Sequence, residues 1–384
     1  MIDKCSSLFK NMNKKVFLGH CAISPLFSGS LKAIEDFSVN MAENGVIGLL
    51  SNLDLLPKFH TSAARLMKTQ PENISFVQNT ATAMSMIAGG YPFEPGDQII
   101  SYQHEYPSNH YPWVIQRSRG VELVLLSDVA QSGEDTPEGW SFEELEEVVS
   151  ERTRVVAISH VQFASGFAAD LARLGAFCKE RNIDLIVDCA QSLGCLPVYP
   201  EEYNIAAVAS SGWKWLMGPF GAGVMYTSQG FRSKLSLTMG GPGMMKQGLN
   251  YLDHTWDPHT DGRMFEFSAA PWDHIAALDA VISQVFLKNS MEDIRDEIFR
   301  LQDIFLDQLD TDLVSYQLPP AENRSGIITM KISKDPQHIM KEMYERGVVI
   351  TGPTGVLRLA PHFYMKDEQM VKAASTLNNV LSAS

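Results

Sequence analysis

Between residues 98 and 226 the sequence alternates short apolar runs with amphipathic stretches, and this alternation constrains the fold more than any other feature. The apolar runs predict strands at 98–102, 121–126, 155–159, 185–188, 206–210 and 223–226. Apolar residues at helical spacing lie between some of these runs, as at Leu171, Leu174 and Phe177. Strands that alternate with helices predict a parallel sheet covered by helices, whose strands are apolar throughout because both faces are buried.

The pattern changes beyond about residue 264. Two long helical stretches at 272–287 and 291–309 precede strand-like runs at 326–332 and 348–350 and a closing helix at 367–381. These elements predict a second, smaller α/β domain. We therefore expect a large domain over residues 16–260 and a small domain formed by residues 1–15 and 261–384.

The composition is that of an ordinary globular protein, with 45% apolar and 20% charged residues, but 31 basic against 45 acidic residues give a net charge of −14. Because no basic stripe is visible, we expect no nucleic-acid and no membrane partner. Residues 1–15 contain no apolar run of the signal-peptide type, and no run elsewhere is long enough to span a bilayer. The five cysteines are scattered and form no CxxC pair, so no metal site is predicted and a cytoplasmic location is the simplest expectation.

A lysine follows the predicted strand at 206–210 in the segment Ser211-Gly212-Trp213-Lys214-Trp215. Between two tryptophans Lys214 would lose its charge easily, as an amine that forms a Schiff base must. The alternative is a surface lysine before a glycine-rich turn, and the segment alone does not decide between them.

An aspartate follows the strand at 185–188 in the same way. A buried carboxylate at Asp188 needs a partner, because burying it unpaired is costly, and a protonated pyridine nitrogen would serve. Gln191, three residues on, could then hydrogen-bond a ring hydroxyl. The alternative is that Asp188 caps a helix, which taken alone is the commoner situation.

Two further segments complete the pattern. Thr80 and Ala81 precede an apolar helical run, where free N–H groups and the helix dipole predict a phosphate site. Tyr106 follows the strand at 98–102, where an aromatic ring can stack on a planar heterocycle. Plain helix capping and a surface tyrosine in a turn are the alternatives. All these segments are expected at strand ends, where open α/β sheets bind their ligands.

Together the four segments are far more specific than any one of them. With the stretches 159–171, 187–194 and 211–214 they resemble the class V aminotransferase and cysteine-desulfurase family of fold-type I pyridoxal-phosphate (PLP) enzymes. The resemblance runs from about residue 17 to the C-terminus. It implies the PLP-dependent transferase-like fold, with a mostly parallel seven-stranded sheet between helices. It also implies bound PLP, an amino-acid substrate, and a homodimer with the active site at the subunit interface.

Carried over residue by residue, the resemblance makes Lys214 the Schiff-base lysine and Asp188 the partner of the pyridinium nitrogen, both catalytic. Arg358 matches the arginine that binds the substrate carboxylate, for which a surface ion pair is the alternative. Cys21 and His20 fall in a stretch that resembles the substrate-lining N-terminal segment. The remaining implied cofactor-binding residues are Thr80, Ala81, Tyr106, Gln191, Ser211, Trp213 and, from the partner subunit, Ser268.

The sequence departs from the family at several places. Many members have histidine where Trp213 stands, and Ser268 stands near the place of a phosphate-binding threonine. The interval 351–357, before Arg358, holds no cysteine, although desulfurases need a nucleophilic cysteine on a mobile loop there. We therefore expect a class V aminotransferase. The alternatives are a C–S, C–Se or kynureninase-like lyase without a persulfide cysteine, an amino-acid epimerase, and a non-catalytic PLP-binding protein, which the intact Lys214, Asp188 and Arg358 disfavour.

Overall fold

A computed structural model of the chain describes residues 4, 9, 12, 15–130, 137–352 and 355–383. The N-terminal part begins with a short strand and continues as helices. These elements are β1 (Val16–Phe17), α1 (Ser28–Asn44), α2 (Val46–Leu50) and α3 (Leu55–Leu66). Helix α3 buries Phe59, Ala63 and Leu66, which share one face because they are spaced by about one turn.

The central sheet has seven strands. In chain order they are β2 (Ile74–Val77), β3 (Gln98–Tyr102), β4 (Glu122–Leu126), β5 (Thr153–Ser159), β6 (Asp184–Asp188), β7 (Ala207–Ser211) and β8 (Gly223–Thr227). In space the order is β2-β8-β7-β6-β5-β3-β4. The helices connected with this sheet are α4 (Thr80–Gly90), α5 (Tyr111–Val114), α6 (Phe142–Val148), α7 (Leu171–Glu180) and α8 (Gln229–Arg232).

The predicted mostly parallel seven-stranded sheet is confirmed. Strands β4, β3, β5, β6 and β7 pair in parallel, and Leu185, Ile186 and Val187 of β6 are fully buried. Strand β8 runs antiparallel to both β7 and β2. The physical reason is the short connection at residues 212–222, which contains no helix, since a parallel crossover needs a dozen or more residues and usually a helix.

The C-terminal part contains α9 (Trp272–Gln284), α10 (Met291–Leu306), β9 (Ser315–Gln317), β10 (Ile328–Lys331), α11 (Pro336–Glu345), β11 (Val348–Val349), β12 (Leu357–Leu359) and α12 (Asp367–Ala383). Strands β12, β10 and β9 form an antiparallel sheet, while β11 pairs in parallel with β1. This last pairing holds residues 18–21 beside the C-terminal part, since Leu18 N donates to Val349 O.

The expected division at residue 260 stays a prediction. Of residues 1–15, which we assign to the small domain, only Lys4, Phe9, Met12 and Lys15 are described. No helix in the described ranges combines the length and the apolar character needed to cross a bilayer.

Candidate active site

A cavity of about 730 Å³ opens at the carboxyl ends of the central strands. Tyr106, Asp188 and Lys214, which follow or end β3, β6 and β7, all line it. Parallel strands end at one edge of the sheet, so residues far apart in sequence meet there. The N-terminal segment and β12 supply the rest of the wall through Cys21 and Arg358.

Lys214 is a half-buried residue whose amine is largely shielded from solvent. Burial lowers the pKa of its ammonium, and Asp188 opposes that effect by favouring the charged form. The Nζ atom lies 5.2 Å from the centroid of the Tyr106 ring. The backbone is fixed as well, because Ser24 Oγ donates to Lys214 O over 2.5 Å and Met217 N donates to it over 2.9 Å. Lys214 is therefore not a surface lysine, because its backbone is fixed by hydrogen bonds and its amine is less basic than usual.

Asp188 is buried at the last position of β6. Burial raises the pKa of its carboxyl, while a hydrogen bond from Ala190 N to Oδ1 (2.8 Å) and the charge of Lys214 lower it. A turn follows at residues 190–192, and within the described chain no helix begins there, so Asp188 does not cap one. A buried carboxylate facing a cavity can accept a hydrogen bond from a protonated ring nitrogen.

Gln191 lines the same cavity but is partly engaged. Its Nε2 donates to Cys21 O (2.8 Å), and its Oε1 accepts from Trp215 Nε1 (3.2 Å). One amide N–H of Gln191 is left over for a ligand, because a side-chain amide carries two.

Two hydroxyl groups meet at the start of α4. Ser211 Oγ, at the end of β7, accepts from Thr80 N (3.2 Å) and hydrogen-bonds Thr80 Oγ1 (3.0 Å). Asn79 caps the helix by accepting from Thr82 N (2.8 Å). The first-turn N–H groups of a helix lack intrahelical acceptors, so the hydroxyls and the Ala81 amide form a cradle for an anion.

Aromatic side chains form much of the cavity wall. Tyr106 and Phe163 meet edge to face with ring centroids 5.3 Å apart. Trp213 stacks on Phe220 at 5.1 Å with planes 28° apart. Both Trp213 and Phe220 line the cavity.

Arg358 is a buried arginine in the middle of β12. Only 7% of the residue is exposed, and its NH1 donates to Phe163 O (2.5 Å). Its Nε is buried and has no acceptor among the described residues. Arg358 lines the cavity, and a buried guanidinium at a cavity wall fits a carboxylate ligand.

The two predicted substrate-lining residues separate in the structure. Cys21 lines the cavity, with Sγ 3.6 Å from Thr351 Oγ1. His20 lies in the core, where its ring nitrogens pair with Ala360 O (2.7 Å) and Tyr364 Oη (2.8 Å). The structure therefore does not bring His20 to the site.

Ser268 lies apart from Lys214 in this chain. It lines a second cavity of about 410 Å³ together with Gln78 and Thr82, which flank the anion cradle. Its predicted contact with the phosphate of a partner subunit stays a prediction.

Glu105 is a residue that sequence reasoning passed over. It is buried beside the cavity wall, and burial raises the pKa of its carboxyl to about 7, against the lowering effect of its hydrogen bonds to Ser159 and Gln162. The available signal was an acidic residue just beyond a buried strand, next to the aromatic residue that we singled out. In the described part of the chain no cluster of His, Cys, Asp and Glu side chains is suited to hold a metal ion.

Comparison with known proteins places these residues in context. A sequence model of the family described as aminotransferase class-V matches residues 16–378. A probable cysteine desulfurase of Methanothermobacter thermautotrophicus is 27% identical over 219 residues, which are 57% of this chain and 53% of that protein. The cysteine desulfurase of Pectobacterium atrosepticum is 26% identical over 308 residues, 76% of this chain and 70% of the relative. The matched stretch thus spans about half the length of the first relative.

Solved structures share the fold. The cystine C–S lyase C-DES in complex with its reaction product cysteine persulfide superposes with a TM-score of 0.86 at 20% identity, over 96% of this chain and 98% of that one. A C-DES variant with glycine covalently linked to the PLP cofactor gives 0.87 at 19% identity, over 97% and 98%.

The cavity fits PLP. The anion cradle at Thr80, Ala81 and Ser211 suits a phosphate, and Asp188 suits a pyridinium nitrogen. Lys214 would hold the cofactor through its amine, and the Tyr106 ring lies beside that amine.

Proposed function

Because the chain belongs to the class V aminotransferase family of PLP-dependent enzymes, we propose that it is a lyase that cleaves the Cβ–S bond of a cysteine-type amino acid without an enzyme persulfide. The single observation that supports an amino-acid substrate is Arg358, which shares one cavity with Lys214. Its buried Nε has no acceptor among the described residues. The sulfur part is supported by relatives named cysteine desulfurase that align over most of the chain.

Three residues of the cavity have separate roles in the proposed reaction. Arg358 binds the substrate carboxylate and so fixes Cα near Lys214. Lys214, with its reduced basicity, accepts the Cα proton as general base. Asp188 holds a proton on the ring nitrogen, and PLP, when bound, supplies the electron sink for the pair left at Cα. The Cβ–S bond then breaks with its electron pair on sulfur, which leaves as a thiol once protonated, and hydrolysis of the remaining three-carbon unit yields pyruvate and ammonia.

The thiols of the chain support a route without a persulfide. Cys178, Cys189 and Cys195 are buried, and burial raises the pKa of each thiol, which keeps them unreactive. Cys5 lies outside the described residues. Cys21 faces the cavity but sits on the N-terminal segment, not in the interval 351–357 where desulfurases carry their nucleophile.

Transamination, our expectation from the sequence, is the second candidate. The observation in its favour is that Lys214 is the only amine among the described residues that line the cavity, and one base that moves a proton between Cα and the cofactor is all that transamination requires. In that case no bond to sulfur breaks, and the amino group passes to a keto acid.

Product analysis separates the candidates. The purified protein is incubated with L-cysteine or an S-alkyl cysteine, first alone and then with a keto acid. Thiol or sulfide in equal amount with pyruvate and ammonia supports the lyase. Alanine with sulfur retained on the protein would overturn it in favour of a desulfurase. A new amino acid that forms only when the keto acid is present would establish the aminotransferase.

We also propose that the chain acts as a homodimer. Four large apolar side chains are exposed on one segment, with Leu252 94% and Trp256 69% exposed, beside Leu249 and Tyr251. Leu249 and Tyr251 line the second cavity together with Ser268. An exposed apolar patch of this kind marks an interaction site. A second copy of the chain that covered the patch would allow the predicted contact of the partner's Ser268 with the phosphate.

A further inference from the structure

We infer that Glu105 is a positioning residue that joins three segments of the cavity wall, an inference that rests on the proposed function for the use of the cavity. Glu105 lies three residues beyond the end of β3 and is buried. Glu105 contacts none of the side chains that we assign to substrate binding. Its effect on them passes through the residues that donate hydrogen bonds to it.

Glu105 accepts four hydrogen bonds. Oε1 accepts from Ser159 N (2.7 Å) and Gln162 Nε2 (2.8 Å). Oε2 accepts from Asn109 Nδ2 (3.1 Å) and from the Ser159 hydroxyl. None of the donors is a cation, so the carboxylate is held by geometry rather than by an ion pair, and each bond to a charged acceptor is stronger than a neutral one.

The first segment carries the stacking ring. Tyr106 is the next residue along the chain, and Asn109 ends the short 3-10 turn Pro107–Asn109 that follows it. Asn109 Oδ1 accepts in turn from Trp113 Nε1 (3.0 Å). Glu105 therefore anchors both ends of the turn that presents the Tyr106 ring to Lys214.

The second segment carries Asp188. Ser159, which gives two of the four hydrogen bonds, is the register partner of Asp188 in the β5–β6 pair. The charges of Glu105 and Asp188 also interact, since Asp188 contributes to raising the pKa of Glu105. Glu105 thus fixes the strand end beside the carboxylate that we assign to the ring nitrogen.

The third segment carries the acceptor that orients Arg358. Gln162 precedes Phe163, whose carbonyl oxygen accepts from Arg358 NH1 (2.5 Å). The Phe163 ring also meets the Tyr106 ring. Movement of residues 162–163 would therefore displace the guanidinium and the stacking ring together.

Equilibrium binding of glycine tests the inference, because glycine carries the amine and the carboxylate but no group to eliminate. The titration follows the visible absorbance of the PLP-bound protein at pH 8. Glu105→Gln removes the charge and one acceptor oxygen, and we expect it to raise the dissociation constant for glycine about tenfold. Asp97→Asn is the matched control, because Asp97 is a buried carboxylate just before the other end of β3. It should leave the constant within about twofold of the native value, since it acts far from the cavity wall.

A double-mutant cycle shows whether Glu105 acts through the arginine. In the Arg358→Gln background, Glu105→Gln should weaken glycine binding less than about threefold further, because coupled residues are not additive. Gln162→Ala, which cuts only the third segment from Glu105, should weaken it in the same direction and decides the matter if Glu105→Gln does not fold.

Three results would overturn the inference: unchanged glycine affinity in Glu105→Gln, an equal loss in Asp97→Asn, or the full tenfold loss persisting without Arg358. Native protein that binds PLP but no glycine would overturn the proposed function itself, and the inference with it.

Discussion

The Nζ of Lys214 lies 5.2 Å from the ring centroid of Tyr106, so the reactive amine and the stacking ring face one cavity although they follow different strands. Asp188 ends β6, which lies between β3 and β7 in the chain. Its charge counteracts the lowering of the Lys214 pKa by burial. A planar cofactor held there would contact all three groups.

Lys214→Ala should remove the visible absorbance of covalently held PLP and reduce turnover below detection, because no other amine among the described residues lines the cavity. Lys234→Ala is the control, since Lys234 is a partly exposed lysine paired with Asp184. Spectra and turnover after dialysis are the measurements. A Lys214→Ala protein that kept both would show that the amine is elsewhere.

Asp188→Asn should retain PLP but slow exchange of the substrate Cα proton with solvent by about two orders of magnitude or more, because an amide cannot hold the ring nitrogen protonated. Asp170→Asn is matched to it, because Asp170 caps α7 and accepts from Arg173 N. Proton exchange followed by NMR is the measurement. Equal exchange rates in native protein and Asp188→Asn would reduce Asp188 to a structural residue.

Cys21→Ser should keep at least about half of the native rate of thiol release from a cysteine-type substrate, because the proposed reaction uses no enzyme thiol. Cys195→Ser is the control for a core thiol, since Cys195 is fully buried. Sulfide and pyruvate are quantified for each protein. Loss of sulfide release in Cys21→Ser alone would make Cys21 the nucleophile.

Leu252→Glu should convert the proposed dimer to monomer at micromolar concentration, because a charge would replace the most exposed apolar side chain of the patch. Val371→Glu, on the exposed side of α12, is the control and should leave the mass unchanged. Light scattering measures both. A native monomer that turns over substrate would contradict the dimer.

The pKa of Glu105, raised by burial from 4.5 to about 7, makes the stability of the native protein depend on pH. The folded state holds this proton more tightly than the unfolded state, so the contribution of Glu105 to the free energy of unfolding is largest below about pH 4.5 and falls as the pH rises to about 7. The fall amounts to about 3 kcal/mol. Denaturant unfolding of native protein and Glu105→Gln at pH 5 and pH 8 should show this difference shrinking with pH. A difference that stayed constant would mean that the carboxyl titrates normally.

The sequence by itself predicted six of the seven strands of the central sheet, all but β2, and it predicted that Lys214 and Asp188 share one site. The buried strands β3, β5 and β6 are apolar over most of their length, and a continuous apolar run bounded by polar turns is a local signal. Lys214 and Asp188 could be placed at one site because parallel strands end at a common edge. Their position directly after predicted strands was therefore enough to predict that the two side chains lie close together.

Only the tertiary structure decided which distant segments complete that edge. The pairing of β1 with β11 brings Cys21 into the cavity while turning His20 into the core, although the two are adjacent in sequence. The support of Glu105 could not be predicted either, because its donors at Asn109, Ser159 and Gln162 meet it only after β3 and β5 have paired. Hydrogen bonds between segments depend on the path of the chain in space, and a local pattern of residue types carries no record of that path.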